Sequence, residues 1–254
     1  MSYEFLKTSN TDGLIRITLN RPPVNVLTID MMEELIRALN WAQEEPGSLV
    51  VIGNENKAFC AGVDIADHTA DKVESMIDVF DRLFMAMTAV EKPLVAAVNG
   101  VALGGGYEIV LFCDIVIVSE KAKLGQPEIA VGVFPPLACY QLPRLVSWPR
   151  AMELLLSGDA FDAVTGEKLG LVNKILPVEG FDAGVEDYLK KFLNKSPVVL
   201  ALTKKAANAG MNKDLETGLK AIDNIYLREL MLTEDAAEGL QAFMEKRPPK
   251  WKGK

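Results

Sequence analysis

Two glutamates, Glu108 in GVALGGGYE and Glu128 in LGQPE, stand twenty residues apart in a chain with a single histidine. One follows a Gly-rich turn and the other a Pro-marked one. A carboxylate removed from water is penalised and its pKa rises, so a buried Glu is rare unless it is paired or working. Two carboxyls sharing a pocket are a known way to obtain one acid and one base near neutral pH. Residue type and placement together point to proton transfer by carboxylates.

Gly104, Gly105 and Gly106 lie where a strand-like run gives way to a helical one. Backbone N–H groups can approach a ligand closely there, and the helix dipole favours negative charge. A developing oxyanion would be stabilised, and one such donor is typically worth about 2.7–4 kcal/mol in a transition state. A tight helix–strand contact that excludes side chains explains the same glycines equally well. Other chemistries lack their residues. Neither GxGxxG, GxxxxGK[ST] nor GxSxG occurs, which removes the usual nucleotide cradles and the serine-nucleophile elbow. His68 reads as a surface or loop residue and Cys60 as a small buried apolar one, and no metal ligands stand at usable spacing.

The elements that must carry these residues follow from hydrophobic period. Residues 14–19 (LIRITL) alternate as a half-buried strand does, and a helix runs from Thr28 with Met32, Leu35, Ile36 and Leu39 on one face until Pro46-Gly47. LVVI (49–52) predicts a buried strand and 53–68 a loop, and a second helix carries Val73, Met76, Ile77, Phe80, Leu83, Phe84 and Met87. LVAAV (94–98) and IVIV (115–118) predict further strands, separated by a buried helix over 105–112. Strands alternating with helices imply an α/β core. After Pro177 only helices are expected. Leu215, Leu219, Ile222, Ile225 and Leu230 form one apolar stripe and Ala236, Leu240 and Phe243 another. Such stripes suit a neighbouring subunit or the chain's own domain.

The chain has 254 residues, enough for one large core. A formal charge of −8 argues against a nucleic-acid partner. Three cysteines at unrelated spacings indicate no disulfide framework. With no leader-like N-terminus and no long apolar run, a cytoplasmic protein without membrane partners is the expectation.

KAFCAGVDI (57–65), KPLVAAVNGVALGGGYEIVLFCDIVI (92–117) and LGQPEIAVGVFP (124–135) resemble the crotonase superfamily, specifically its enoyl-CoA hydratase branch. The resemblance extends from LNRPPVNVL (19–27) to AFMEKRPPKW (242–251). It implies a spiral of ββα units over residues 1–196, holding the active site, followed by an all-helical oligomerisation region over 197–254. It also implies an oxyanion hole from the N–H groups of Val63 and Gly105, with Glu108 and Glu128 as the catalytic pair. Isomerases of the superfamily commonly lack one of the two glutamates, and a few relatives bind RNA. Coenzyme A enters as part of an acyl-CoA thioester substrate, so no separate cofactor is expected. Its contacts are placed on Pro23, Val24, Val26 and Leu27, and on Ala61, Gly62, Asp64 and Ile65. Lys246, Arg247 and Lys250 are candidates for its phosphates, supplied within the chain or by a neighbour. A homotrimer or homohexamer is the family's habit.

One stretch departs from the family's pattern. Where hydratases usually carry a run similar to PGAGGTQ, this chain reads Pro135-Pro136-Leu137-Ala138-Cys139-Tyr140-Gln141. Side chains now fill space beside the second glutamate, so Pro136 and Tyr140 are expected against the acyl group. AGVDIADHT together with GVFPP (132–136) resembles hydratases of cyclohexa-1,5-diene-1-carbonyl-CoA.

Overall fold

The computed structural model describes residues 2–254. An antiparallel hairpin opens the chain, β1 (Leu6–Thr11) against β2 (Leu14–Leu19), and α1 (Ile29–Glu44) follows. Thr28 starts that helix by accepting the Met31 N–H on its hydroxyl. Three successive turns of chain then repeat one pattern. β3 (Leu49–Asn54) and β4 (Ala58–Cys60) lead to α2 (Val73–Ala89), and β5 (Leu94–Val98) and β6 (Val101–Leu103) lead to α3 (Gly105–Leu111). β7 (Ile115–Ser119) and β8 (Lys123–Gly125) lead through a 3-10 helix, Pro127–Val131, to α4 (Pro136–Leu145).

Each turn of the spiral gives its first strand to a six-stranded sheet of order β1-β2-β3-β5-β7-β10 and its second to a four-stranded sheet that starts β4-β6-β8. Helix α5 (Trp148–Ser157), strand β9 (Phe161–Asp162), helix α6 (Ala163–Lys168) and strand β10 (Lys174–Leu176) complete both sheets. The central strands are parallel and covered on both faces, which is why they read as unbroken apolar runs. Val50, Ile52, Leu94, Ala96, Val98, Val116 and Val118 enter the larger core with α1 and α2. Leu49, Val51, Val95, Ala97 and Ile117 face the other way, onto Phe181, Val185 and Leu189 of α7 (Phe181–Leu193).

Two expectations need correction. Residues 53–68 are not all loop, because β3 continues to Asn54, Ala58–Cys60 is a strand, and Ile65–Asp67 forms a 3-10 turn. All three β4 side chains are buried, so this short strand has no alternation to reveal it. The hairpin strand β1 also escaped the sequence reading, since most of its residues face water at the sheet edge.

The chain ends in α8 (Pro197–Gly210), α9 (Leu215–Arg228) and α10 (Glu234–Glu245). Lys204 ties α8 to the core through Asp114 at 2.7 Å. Asp235 is buried and gathers the tail, accepting from Ser196 Oγ at 2.6 Å and from the N–H groups of Lys252 and Gly253 at 2.7 and 3.0 Å. Asp235→Ala leaves three donors without an acceptor, so a loss of about 2–3 kcal/mol is expected in urea unfolding. An unchanged midpoint would show that the tail is held by other groups. The apolar stripes are not buried within one chain. Of the first stripe only Ile225 is buried, while Leu215 is 77% and Phe243 85% exposed. None of the described helices is long and apolar enough to cross a membrane.

Candidate active site

The smaller sheet brings the two glutamates together. β6 ends at Leu103, Gly104 turns the chain, and α3 starts at once, so Glu108 lies in that helix's first turn. Its side chain is 2% exposed, and Oε1 accepts the N–H of Ala138 at 2.7 Å. That N–H belongs to the first turn of α4, where Pro135 and Pro136 offer no donor and leave Leu137 and Ala138 to serve the carboxylate. Burial dominates and pushes the Glu108 pKa to about 8; the Ala138 N–H opposes it, the charge of Glu128 adds to it, and the Leu137 N–H opposes it more weakly.

Glu128 lies on the 3-10 helix after β8 and is half-buried. Its Oε1 is only 2.6 Å from where a Cβ on Gly104 would stand, and Gly104 has φ +53°. Only glycine lets the turn and the carboxylate coexist. Burial raises the Glu128 pKa, against its own backbone N–H and the charge of His68. The buried Gln126 amide, oriented as its partners require, puts its nitrogen 3.2 and 3.1 Å from Oε1 and Oε2 of Glu128. Burial also raises the Cys139 thiol, followed by the fields of Glu108 and Glu128, so α4 brings Cys139 near both carboxylates.

Val63 and Gly105 are neighbours. A Cβ on Gly105 would stand 2.7 Å from Val63 Cγ2. The AGVD loop pairs with Leu27 as a short parallel bridge, in which Leu27 N donates to Gly62 O and Asp64 N donates to Leu27 O. In that pattern the intervening N–H of Val63 faces away from Leu27. Gly105 occupies the first position of α3, where a helix has no acceptor for its N–H. Among the described residues neither N–H has a protein partner. Gly106 fits the packing explanation instead, since a Cβ there would stand 2.7 Å from Cys60 Sγ. Cys60 itself is fully buried, and burial pushes its thiol to about 12.

The expected coenzyme A contacts divide. Pro23, Ala61 and Ile65 are exposed, and Val24, Val26 and Asp64 are half-buried. Ala61 N donates to Val24 O at 3.0 Å, joining the two loops, and Asp64 caps the 3-10 turn through the Ala66 N–H. Gly62 is buried and contributes backbone only. Leu27 is a correction, because its side chain is fully buried in the core and leaves only its backbone bridge beside the loop. Pro136 and Tyr140 are both exposed on α4, with the Arg144 guanidinium stacked 3.6 Å over the Tyr140 ring. Lys246 ends α10 in the left-handed conformation, and Lys250 N donates to Glu238 Oε1 at 2.8 Å. Lys250 lines a cleft of about 700 Å³ with Glu234, Glu238 and Arg247. Arg247 is held there by Glu238, at 2.6 Å.

Sequence reasoning passed over Gln126 and Cys139 as neighbours of the two carboxylates. Gln126 stands inside the LGQPE motif, two residues before the acid, and that was the available signal.

A mostly parallel two-sheet spiral, with its glycine turn facing two glutamates and the AGVD loop, is the crotonase architecture. Residues 9–254 match the family model for enoyl-CoA hydratase/isomerase, and the chain belongs to that family, as an enzyme of the hydratase type. It is 39% identical over 258 residues to a probable mitochondrial enoyl-CoA hydratase of Dictyostelium discoideum, covering 97% of this chain and 91% of that one. A crotonyl-CoA hydratase of Syntrophomonas wolfei is 35% identical over 254 residues, 97% of each chain. The crystal structure of an enoyl-CoA hydratase from Bacillus anthracis superposes with a TM-score of 0.93 at 32% identity, over 99% of this chain and 100% of that one.

Proposed function

We propose that the chain adds water reversibly to the conjugated C=C of an enoyl- or dienoyl-CoA thioester. The observation that carries this reading is the meeting of Glu108 and Glu128 beside two unengaged backbone donors, Val63 and Gly105. Those N–H groups polarise the thioester carbonyl and draw electrons from the alkene, which makes its distal carbon electrophilic. The reactive form shares one proton between the two carboxyls; in it Glu108 is the carboxylate that orients a water and takes its proton as the oxygen adds, although burial by itself favours the protonated form of Glu108. Glu128, as carboxylic acid, delivers a proton to the carbon beside the carbonyl. Dehydration reverses both transfers. The active state carries one proton on the pair, which titrates as a coupled unit.

Coenzyme A is carried by the substrate. Pro23, Val24, Val26, Ala61, Asp64 and Ile65 border its path, and Lys246 and Lys250 serve its phosphates from an adjacent subunit. The exposed apolar faces of α9 and α10 support assembly as a homotrimer or homohexamer. The three cysteines are free thiols, which suits a reducing cytoplasm.

The finer reading is cyclohexa-1,5-diene-1-carbonyl-CoA. It is supported by Pro135 and Pro136, which start α4 at the point where its next residues bind Glu108. The wall beside the base is therefore helical and stiff, which suits a flat ring better than a flexible chain. Ultraviolet assays with crotonyl-CoA and the cyclic dienoyl-CoA test both levels. Faster turnover of the cyclic thioester is the expected result. Turnover of crotonyl-CoA alone would sink the cyclic reading, and turnover of neither would sink hydration.

A further inference from the structure

One buried amide holds the strand that leads to Val63. Asn25 is fully buried and sits at φ +53°, a conformation that asparagine adopts more readily than most residues. Its side chain makes every hydrogen bond open to an amide. Nδ2 donates to Ala58 O at 3.0 Å and to Phe59 O at 3.1 Å, while Oδ1 accepts the Arg21 N–H at 2.7 Å and Asn56 Nδ2 at 2.8 Å. The backbone N–H of Asn25 is spent on Arg21 O at 2.8 Å, so the side chain supplies the donors that reach β4. Those donors meet β4 where its pairing with β6 slips, between Ala58 and Cys60. Val63 follows four residues after Phe59. Between them the two segments are joined by backbone alone, with Ala61 N on Val24 O, Leu27 N on Gly62 O and Asp64 N on Leu27 O at 2.8–3.0 Å.

We propose that Asn25 is a positioning residue of the oxyanion hole, which fixes β4 against the turn at 21–25 and so sets the Val63 N–H relative to that of Gly105. The inference rests on the two-donor reading given above. The same amide network extends toward the second donor. Asn54 Nδ2 donates to Asn56 O at 2.9 Å and to Asn99 O at 3.0 Å, and Asn54 Oδ1 accepts the Asn99 N–H at 3.1 Å. Asn99 and Gly100 turn β5 into β6, which ends two residues before Gly105. A Cβ on Gly100 would stand 2.5 Å from Lys57 O, so the turn lies directly against the start of β4. Side-chain amides thus register β4 and β6, the two strands whose ends carry the donors. An amide engaged at all four points has one orientation, and donors stabilise an oxyanion only when they are already in place.

Two variants test this with p-dimethylaminocinnamoyl-CoA, a thioester whose absorption moves to the red as its carbonyl is polarised. Asn25→Asp keeps the shape of the side chain and both accepted bonds, and removes the two donors to β4. Per folded molecule, kcat for hydration is expected to fall about 10–100-fold, and the red shift of the bound probe to shrink with it. Asn56→Ala removes one bond to Oδ1 from a half-buried position, with an expected loss of kcat of about 2–5-fold and a smaller loss of red shift. If Asn25→Asp does not fold, Asn56→Ala decides. A merely structural role would lower the thermal midpoint and leave kcat per folded molecule and the red shift as in wild type, and that result overturns the inference. So does a raised KM at unchanged kcat, which would make Asn25 a support of the 21–27 loop alone. If wild-type protein does not shift the probe, the two-donor reading falls and this inference falls with it.

Discussion

Glu108→Gln is expected to lower kcat for hydration by ~10³-fold while leaving the fold intact. The substitution keeps the shape of the side chain and an oxygen able to accept the Ala138 N–H, which Glu108 now receives at 2.7 Å. What it removes is the charge that deprotonates water. Stopped-flow or steady-state ultraviolet assays read this directly. More than about a tenth of the wild-type kcat would remove Glu108 from the role of base.

The same variant carries a stability signature with a definite sign. Glu108 has its pKa raised from 4.5 to about 8, chiefly by burial, so the folded state holds the proton more tightly than the unfolded one. The resulting stabilisation is fully present below the unfolded value and is lost as pH rises through the folded value, on the order of 4 kcal/mol across that window. A glutamine at the position does not titrate. The urea midpoint of Glu108→Gln, measured against wild type, is therefore expected to gain steadily from about pH 5 to about pH 9. The carboxylate is held in a place that costs stability at working pH, which is the usual mark of a group kept for chemistry.

How far this was legible in the sequence depends on what each residue needed in order to be seen. The central strands announced themselves because both of their faces are buried, which turns LVVI and LVAAV into unbroken apolar runs. β6 did not, since it is a three-residue strand lying between two glycine turns. Glu108 and Glu128 stood out by residue type and flanking turns, and Val63 and Gly105 entered through the family resemblance; the structure sets Val63 beside Gly105 and Glu108 at the Ala138 N–H. Gln126 was hidden in plain view. An amide beside a carboxylate in sequence says nothing of which way it points until β8 and the 3-10 helix fix both. His68 was read as an exposed loop residue, and it is one.

The second large effect concerns backbone donors, which substitution cannot delete but can displace. Gly105→Ala places a Cβ 2.7 Å from Val63 Cγ2 and 3.2 Å from Phe80 Cε2. The Phe80 ring is packed in the core, so the AGVD loop is the part that yields. A shift of a few tenths of an ångström there parts the Val63 and Gly105 N–H groups from a shared oxygen. Loss of one donor of this kind typically costs about 2.7–4 kcal/mol of transition-state stabilisation, so kcat is expected to fall 10²–10³-fold. Gly106→Ala is the control that separates packing from catalysis. Its Cβ would stand 2.7 Å from Cys60 Sγ and closer still to the Cys60 backbone oxygen, in a fully buried strand that cannot retreat. The expected outcome is a large fall in thermal midpoint for Gly106→Ala and a small one for Gly105→Ala, with the activity loss per folded molecule concentrated in the latter. If Gly105→Ala instead retained full kcat at a normal midpoint, the carbonyl would have to be polarised elsewhere, and the triple glycine would revert to a packing device.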